Sequence, residues 1–261
     1  MARLAATRFG ADDGAPLLAL HGVTGYAGRW RALAERGLPE RRWLAVDLRG
    51  HGRSTWDAPW TAETHVADLL ETLDAEGLER CDVVGHSFGG LLATHLAATA
   101  PSRVGRVALL DPAIAQDGHE MLEAAEETRR DEGWATREEA LRSRSEGRTP
   151  QALPFVQADL EEALEQGDDG RWRLRYCRST VVAAWSEMAR EPVSMGGFQG
   201  ELLLAPALHD GMVGDHVVEW LRNDLDARLT VHGLDAGHVV YWDAFEDTVA
   251  LLRPFFGLTP A

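Results

Sequence analysis

Ser87 lies at the centre of Gly85-His86-Ser87-Phe88-Gly89, a G-x-S-x-G pattern. An apolar run, Cys81-Asp-Val-Val84, precedes it, and Gly90-Leu-Leu-Ala-Thr-His-Leu-Ala-Ala-Thr-Ala100 follows as an expected helix stopped by Pro101. Strand, sharp turn and helix in that order push the central side chain outward, and the flanking glycines leave room for a strained backbone. A serine hydroxyl is a poor nucleophile until a base takes its proton. Every one of the 26 basic residues is arginine and none is lysine, so the base is expected to be a histidine. His238, in Gly237-His238, follows the last expected strand, Arg228 to Val231, through a short loop that returns it to the same strand-end face. Imidazole in this role needs a carboxylate to fix its tautomer, and Asp210 follows the expected strand around Leu202-Leu-Leu204. Ser87, Asp210 and His238 together suit acyl transfer.

The elements that must position these residues read as short apolar runs alternating with amphipathic stretches, the pattern of a mainly parallel sheet with crossover helices. Pro16–Leu20, Arg42–Val46, Cys81–Val84 and Val104–Leu110 end at His21-Gly22, Asp47, Gly85-His86-Ser87 and Asp111. Polar residues at four strand ends point to one face, where ligands of open α/β sheets sit. Residues 113–197 carry no strand-like run and hold 18 Asp and Glu against 11 Arg. Helices are expected there at about 119–131, 136–146, 155–166 and 179–190, with a capping box at Thr136 and Glu139 and a C-terminal cap at Gly167. Strand character returns at Glu201–Ala205 and Arg228–Val231, and a last helix is expected over about 244–256.

The 42 acidic residues against 26 basic ones give a net charge of −16, which argues against a nucleic-acid partner. The absence of lysine excludes Schiff-base chemistry and a lysine-bearing phosphate loop. No apolar stretch reaches signal-peptide or membrane-span length, so a cytoplasmic chain without a membrane span is expected. Cys81 and Cys177 form no disulfide framework and are expected as reduced thiols. His119-Glu120 is followed by Glu123 where a zinc-protease motif needs a second histidine, and neither metal nor cofactor is expected.

Four blocks, His21-Gly22-Val23-Thr24-Gly25, Asp47-Leu-Arg-Gly-His-Gly-Arg-Ser54, Gly85–Gly90 and Gly237-His238, combine with the order serine, aspartate, histidine. In these the chain resembles the α/β-hydrolase family, over essentially its whole length. The resemblance implies an α/β fold with a mostly parallel central sheet and flanking helices: a core of residues 1–112 and 198–261, and a helical cap over 113–197. It also implies an oxyanion hole from the backbone N–H groups of Val23 and Phe88. The family usually writes a glycine shortly before its acid, whereas this chain has Ala205-Pro-Ala-Leu-His-Asp210. Some relatives carry the acid after the sixth strand, which makes Asp111 the alternative to the preferred Asp210.

Family members that open epoxides or cleave carbon–halogen bonds attack through aspartate; serine here suits a carbonyl substrate, and a small-molecule carboxylic ester is the expectation. Tyr26, Trp30, Met212 and Val239 are candidate pocket residues, with Trp185 and Met188 from the helical stripe Val181, Trp185, Met188. Their apolar character and the acid excess point to a neutral ester. His21 and His51 are expected to pack their loops, and His86 to line the pocket or fill the turn. A lactonase, a cofactor-free perhydrolase or haloperoxidase, and a proline-type aminopeptidase using Glu161 and Glu162 would need the same triad. A receptor-like small-molecule binding module is the non-enzymatic alternative, and a monomer or homodimer is expected.

Overall fold

The structure, a computed structural model, describes residues 2–259. In chain order its strands are β1 (Ala6–Gly10), β2 (Pro16–Leu20), β3 (Arg42–Val46), β4 (Cys81–His86), β5 (Val104–Leu110), β6 (Leu164–Gln166), β7 (Trp172–Leu174), β8 (Leu202–Ala205) and β9 (Leu229–Val231). Seven of them make one sheet in the order β1-β3-β2-β4-β5-β8-β9. β1 runs antiparallel to β3, and the remaining neighbours are parallel. The inner strands are continuous apolar runs because both faces are covered. Leu18, Leu20, Val83, Val107 and Leu109 enter one core cluster, and Leu17, Ala19, Val84, Ala108 and Leu110 enter the other, on the opposite face.

Helices α1 (Ala62–Ala75), α2 (Phe88–Thr99), α3 (Gly118–Arg130), α4 (Arg137–Ser145), α5 (Leu153–Ala163), α6 (Arg178–Met188), α7 (Asp215–Leu225), α8 (Val240–Asp243) and α9 (Phe245–Phe255) surround the sheet. Residues of α1, α2, α6 and α7 fill the first cluster, and those of α4, α5, α8 and α9 fill the second. None of these helices is long and apolar enough to cross a membrane. Cys81 and Cys177 are free thiols, and burial pushes that of Cys81 up to about 12.

Two elements differ from the sequence expectation. β1 is an edge strand with only Phe9 buried, so its composition carries little strand signal. β6 and β7 form an antiparallel hairpin inside the segment read as a helical insertion without a strand-like run. Gly167-Asp-Asp-Gly170 is its turn, closed by the Gly167 N–H donating to the Arg171 carbonyl at 2.9 Å, so Gly167 caps no helix. Arg173 pairs with Asp169 at 2.6 Å, a solvated surface arrangement. The capping box at α4 does form: Thr136 accepts from the Glu139 N–H at 3.1 Å, while the Glu139 carboxylate accepts from the Ala135 N–H at 2.6 Å.

Between β5 and β8, the four helices and the hairpin form an insertion tied to the rest of the fold by buried charge. Arg29 donates twice to Asp159 of α5, at 2.8 and 3.0 Å. Arg148 reaches Asp243 at 3.2 Å, and Glu187 of α6 accepts from the Ala62 N–H at 3.0 Å.

The β4–α2 junction leaves no space for side chains. A Cβ added at Gly89 would stand 2.1 Å from the Leu20 carbonyl oxygen, and one at Gly85 would stand 2.4 Å from the Gly89 oxygen. Gly89→Ala is expected to destabilise the fold by about 2–4 kcal/mol, as backbone overpacking does. The check is the urea midpoint, which would stay at the wild-type value if α2 could move aside.

Candidate active site

Ser87 sits at the turn between β4 and α2 with φ 54° and ψ −121°. A non-glycine residue there costs about 1–3 kcal/mol, so its surroundings must hold it. Its N–H donates to the Leu110 carbonyl at 3.3 Å, and its own carbonyl accepts from Gly90 at 2.9 Å and Ala113 at 3.2 Å. The His21–Gly25 loop crosses close above: a Cβ on Gly22 would lie 2.9 Å from the Ser87 Cβ and 3.4 Å from its Oγ.

His238 meets both candidate carboxylates, in the reverse of the expected preference. Its Nδ1 lies 2.6 Å from Asp111 Oδ2 and 3.4 Å from Asp210 Oδ2. The Asp111 side chain is 0% exposed and that of Asp210 35%. Asp111 stands directly beyond β5, the strand beside β4, with φ 42°; its Oδ1 accepts from the Ala207 N–H at 2.9 Å. Asp111 is buried with both oxygens engaged, whereas Asp210 is a longer, partly solvated contact. The geometry therefore sets Asp111, the alternative acid, closer to His238 than the preferred Asp210. The sequence signal for Asp111 is Leu109-Leu-Asp-Pro112, an aspartate at the apolar end of the strand next to the serine's own. The three acceptor atoms of Asp111, Asp210 and His238 lie within 4.8 Å of one another. A metal held by Nδ1 and Oδ2 at bonds of about 2.1 Å would spread them beyond the 2.6 Å seen, which is the length of a charge-assisted hydrogen bond.

The other motif histidines serve the loops around Ser87. His21 Nδ1 contacts the Gly22 carbonyl at 2.8 Å and its Nε2 accepts from the Leu48 N–H at 3.0 Å, which sets the Nδ1–H tautomer. His86 does more than line the site: its Nε2–H donates to the His238 carbonyl at 2.9 Å, with the two rings 4.7 Å apart. Asp47 accepts from the Ala27 N–H at 2.7 Å and the Arg53 N–H at 2.9 Å, tying the second motif block to the segment just after the first.

Several expected pocket residues lie elsewhere. Trp30 is 0% exposed and stacks on Tyr241 at 4.8 Å, and Met188 is 0% exposed in the core, so packing claims both. Trp185, whose Nε1–H donates to Thr128, and Met212 are partly buried against the first cluster. Tyr26 is partly exposed beside Arg29 and Asp159, and Val239 is buried next to His238. Glu161 turns to Gln157 and Glu162 to Arg31, so they do not converge as an amino-group clamp. A cavity of about 470 Å³ between Pro16, Arg41, Cys81 and Gly105 is at the opposite ends of the strands from Ser87.

Residues 15–245 match the family described as alpha/beta hydrolase fold. The chain is 35% identical over 252 residues to Lipase LipV of Mycobacterium tuberculosis, with 96% of each chain covered. It is 28% identical to Esterase YbfF of Escherichia coli, over 92% of this chain and 91% of that one. Among solved structures, E-2-(Acetamidomethylene)succinate Hydrolase superposes with a TM-score of 0.83 at 18% identity, over 97% and 94% of the two chains. The chain belongs to the α/β-hydrolase family, as its four motif blocks implied.

Burial holds three motif histidines and His65 of α1 neutral, pushing His51 down to about 4, His65 to about 3, and His21 and His86 well below 6.5. In the unfolded chain each titrates near 6.5, so below that pH the unfolded state binds more protons. Their stabilisation is complete above about pH 6.5 and is lost as pH falls towards the depressed values. The urea midpoint is expected to drop between about pH 7 and pH 4.5, and His65→Gln should flatten that drop by about one proton. An identical slope in the variant would count against a buried neutral His65.

Proposed function

We propose that this protein is a serine ester hydrolase working through Ser87, His238 and Asp111, with an acyl-enzyme intermediate. The observation that carries the reading is the 2.6 Å contact of His238 Nδ1 with a fully buried Asp111, beside a serine held at positive φ. With Nδ1–H donated to Asp111, Nε2 is left as the base. It takes the Ser87 proton as Oγ attacks the ester carbonyl, then gives it to the leaving alcohol; water, deprotonated the same way, releases the acid. The oxyanion falls to the backbone N–H groups of Phe88 and Val23. Phe88 is the first residue of α2, where an N–H has no partner within the helix, and the loop bearing Val23 passes over Ser87.

Near-complete relatedness in length to a lipase supports the ester as substrate class. Residues 113–197 act as a cap in this reading. Ser87 is 3% exposed and Tyr176 of the insertion bridges to His51, so entry requires the insertion to move. Val23, Trp185 and Met212 offer apolar surface for the acyl or alcohol part.

A panel of p-nitrophenyl esters of increasing acyl length tests this. Ser87→Ala is expected to lose about 10⁵–10⁶ in turnover while remaining folded. Asp111→Asn should cost about 10⁴, and Asp210→Asn about tenfold or less, because the shorter buried contact fixes the tautomer. Full activity in Ser87→Ala would end the proposal, and a larger loss in Asp210→Asn than in Asp111→Asn would return the acid's role to Asp210.

A further inference from the structure

We infer that the ester substrate carries a carboxylate, received by Arg144 of α4 and the hydroxyl of Tyr241 of α8. This deepens the ester-hydrolase reading and rests on it. Three arginines lie where the insertion meets α8: Arg29 stands over the Trp242 ring at 5.5 Å, Arg148 pairs with Asp243, and Arg144 stands one turn of chain before Arg148. Two of the three are already matched. Arg29 holds Asp159 through two hydrogen bonds between side chains 4% and 3% exposed, and Arg148 holds Asp243 at 3.2 Å. Arg144 has no carboxylate within 4.0 Å among the described residues, although it is half-buried. One positive charge therefore stands uncompensated between the insertion and the core.

An unpaired charge in such a place is costly, and arginine gains no relief by losing its proton. Burial, with Arg29 and Arg148 nearby, lowers Arg144 only to about 10, so the charge persists at neutral pH. The Tyr241 hydroxyl is a second orphan: it is buried without a hydrogen-bond partner, in a residue 1% exposed. A buried donor left unmatched costs about 1–3 kcal/mol. An anion bridging the hydroxyl and the guanidinium satisfies both at once.

The position connects this pair to the catalytic centre. Tyr241 is fixed from behind by the stacked Trp30 and meets the His86 ring edge-on at 5.2 Å; His86 in turn lies 4.7 Å from the His238 ring. The ring bearing the orphaned hydroxyl is thus two ring contacts from the base, a separation suited to a short acyl chain with an ester at one end and a carboxylate at the other. The neutral ester expected from composition gives way here. The net charge of −16 acts at long range and is screened over about 8–10 Å, whereas an unpaired guanidinium acts at contact.

The test compares mono-4-nitrophenyl succinate with 4-nitrophenyl butyrate, which share a four-carbon acyl chain and differ in the terminal carboxylate. Arg144→Gln is expected to lower the ratio of their kcat/KM values about tenfold to a hundredfold, Arg144→Lys to restore part of it, and Tyr241→Phe to lower it about threefold to tenfold. Calorimetry with monomethyl succinate gives a readout independent of turnover. The folded Ser87→Ala protein should bind it saturably, and the Ser87→Ala, Arg144→Gln double variant should not. A ratio indifferent to Arg144 and Tyr241, with hydrolysis of both esters intact, overturns this inference and leaves the hydrolase standing. Arg144-dependent binding without turnover of either ester sinks the hydrolase reading and keeps the carboxylate site.

Discussion

The site depends on one buried negative charge. Asp111 has no exposure, and a carboxylate taken out of water is tolerated only when its oxygens are fully engaged. One oxygen takes the Ala207 N–H from beyond β8, and the other takes His238 Nδ1 from beyond β9. A single side chain thus draws the ends of three strands to one point. The sheet order makes this possible, because β5 lies between β4, which presents Ser87, and β8. His86 completes the closure from the serine side by gripping the His238 carbonyl, so the ring of His238 is fixed by Asp111 and its backbone by the neighbour of Ser87.

Strain at Ser87 is sustained by that same convergence. Its backbone hydrogen bonds run to Leu110, immediately before Asp111, and to Ala113, just after it. The strained serine and the buried aspartate therefore share one turn of chain. Glycine is required at 89 because the Leu20 carbonyl occupies the place of a side chain, and at 22 because Ser87 does. The first is a close approach of backbone to backbone and the second of backbone to side chain, and they explain why the motif blocks are spaced as they are better than any local propensity does.

Much of this was legible in the sequence, for a physical reason. Strands covered on both faces must be continuous apolar runs, so β2, β3, β4, β5 and β8 announce themselves, and their polar ends mark the active face. β1 gave little signal because an edge strand buries a single side chain, Phe9. The β6–β7 hairpin hid among helices because it is only three residues deep on each side. Choosing between Asp111 and Asp210 required knowing depth as well as strand position: both follow apolar strands, and burial separates them. Trp30 and Met188 show a similar limit. Helical spacing and aromatic character identify a buried side chain without saying whether it is buried by protein or by substrate.

Charge shows the sharpest difference between what composition averages and what a site experiences. The insertion over 113–197 is strongly acidic, yet among its arginines are the half-buried Arg144 and Arg148, the latter held by Asp243, while exposed carboxylates such as Glu123 and Glu132 face solvent. The segregation has an energetic logic. Scattered surface carboxylates cost little in water, whereas a half-buried guanidinium is retained against a desolvation penalty that an apolar residue would avoid. Asp159 and Asp243 offset two of the three guanidinium charges, those of Arg29 and Arg148. Structural packing has no need of the third, and the proposed hydrolase gives it a use: holding one end of a substrate fixes where the other end meets the serine, which converts binding energy into orientation.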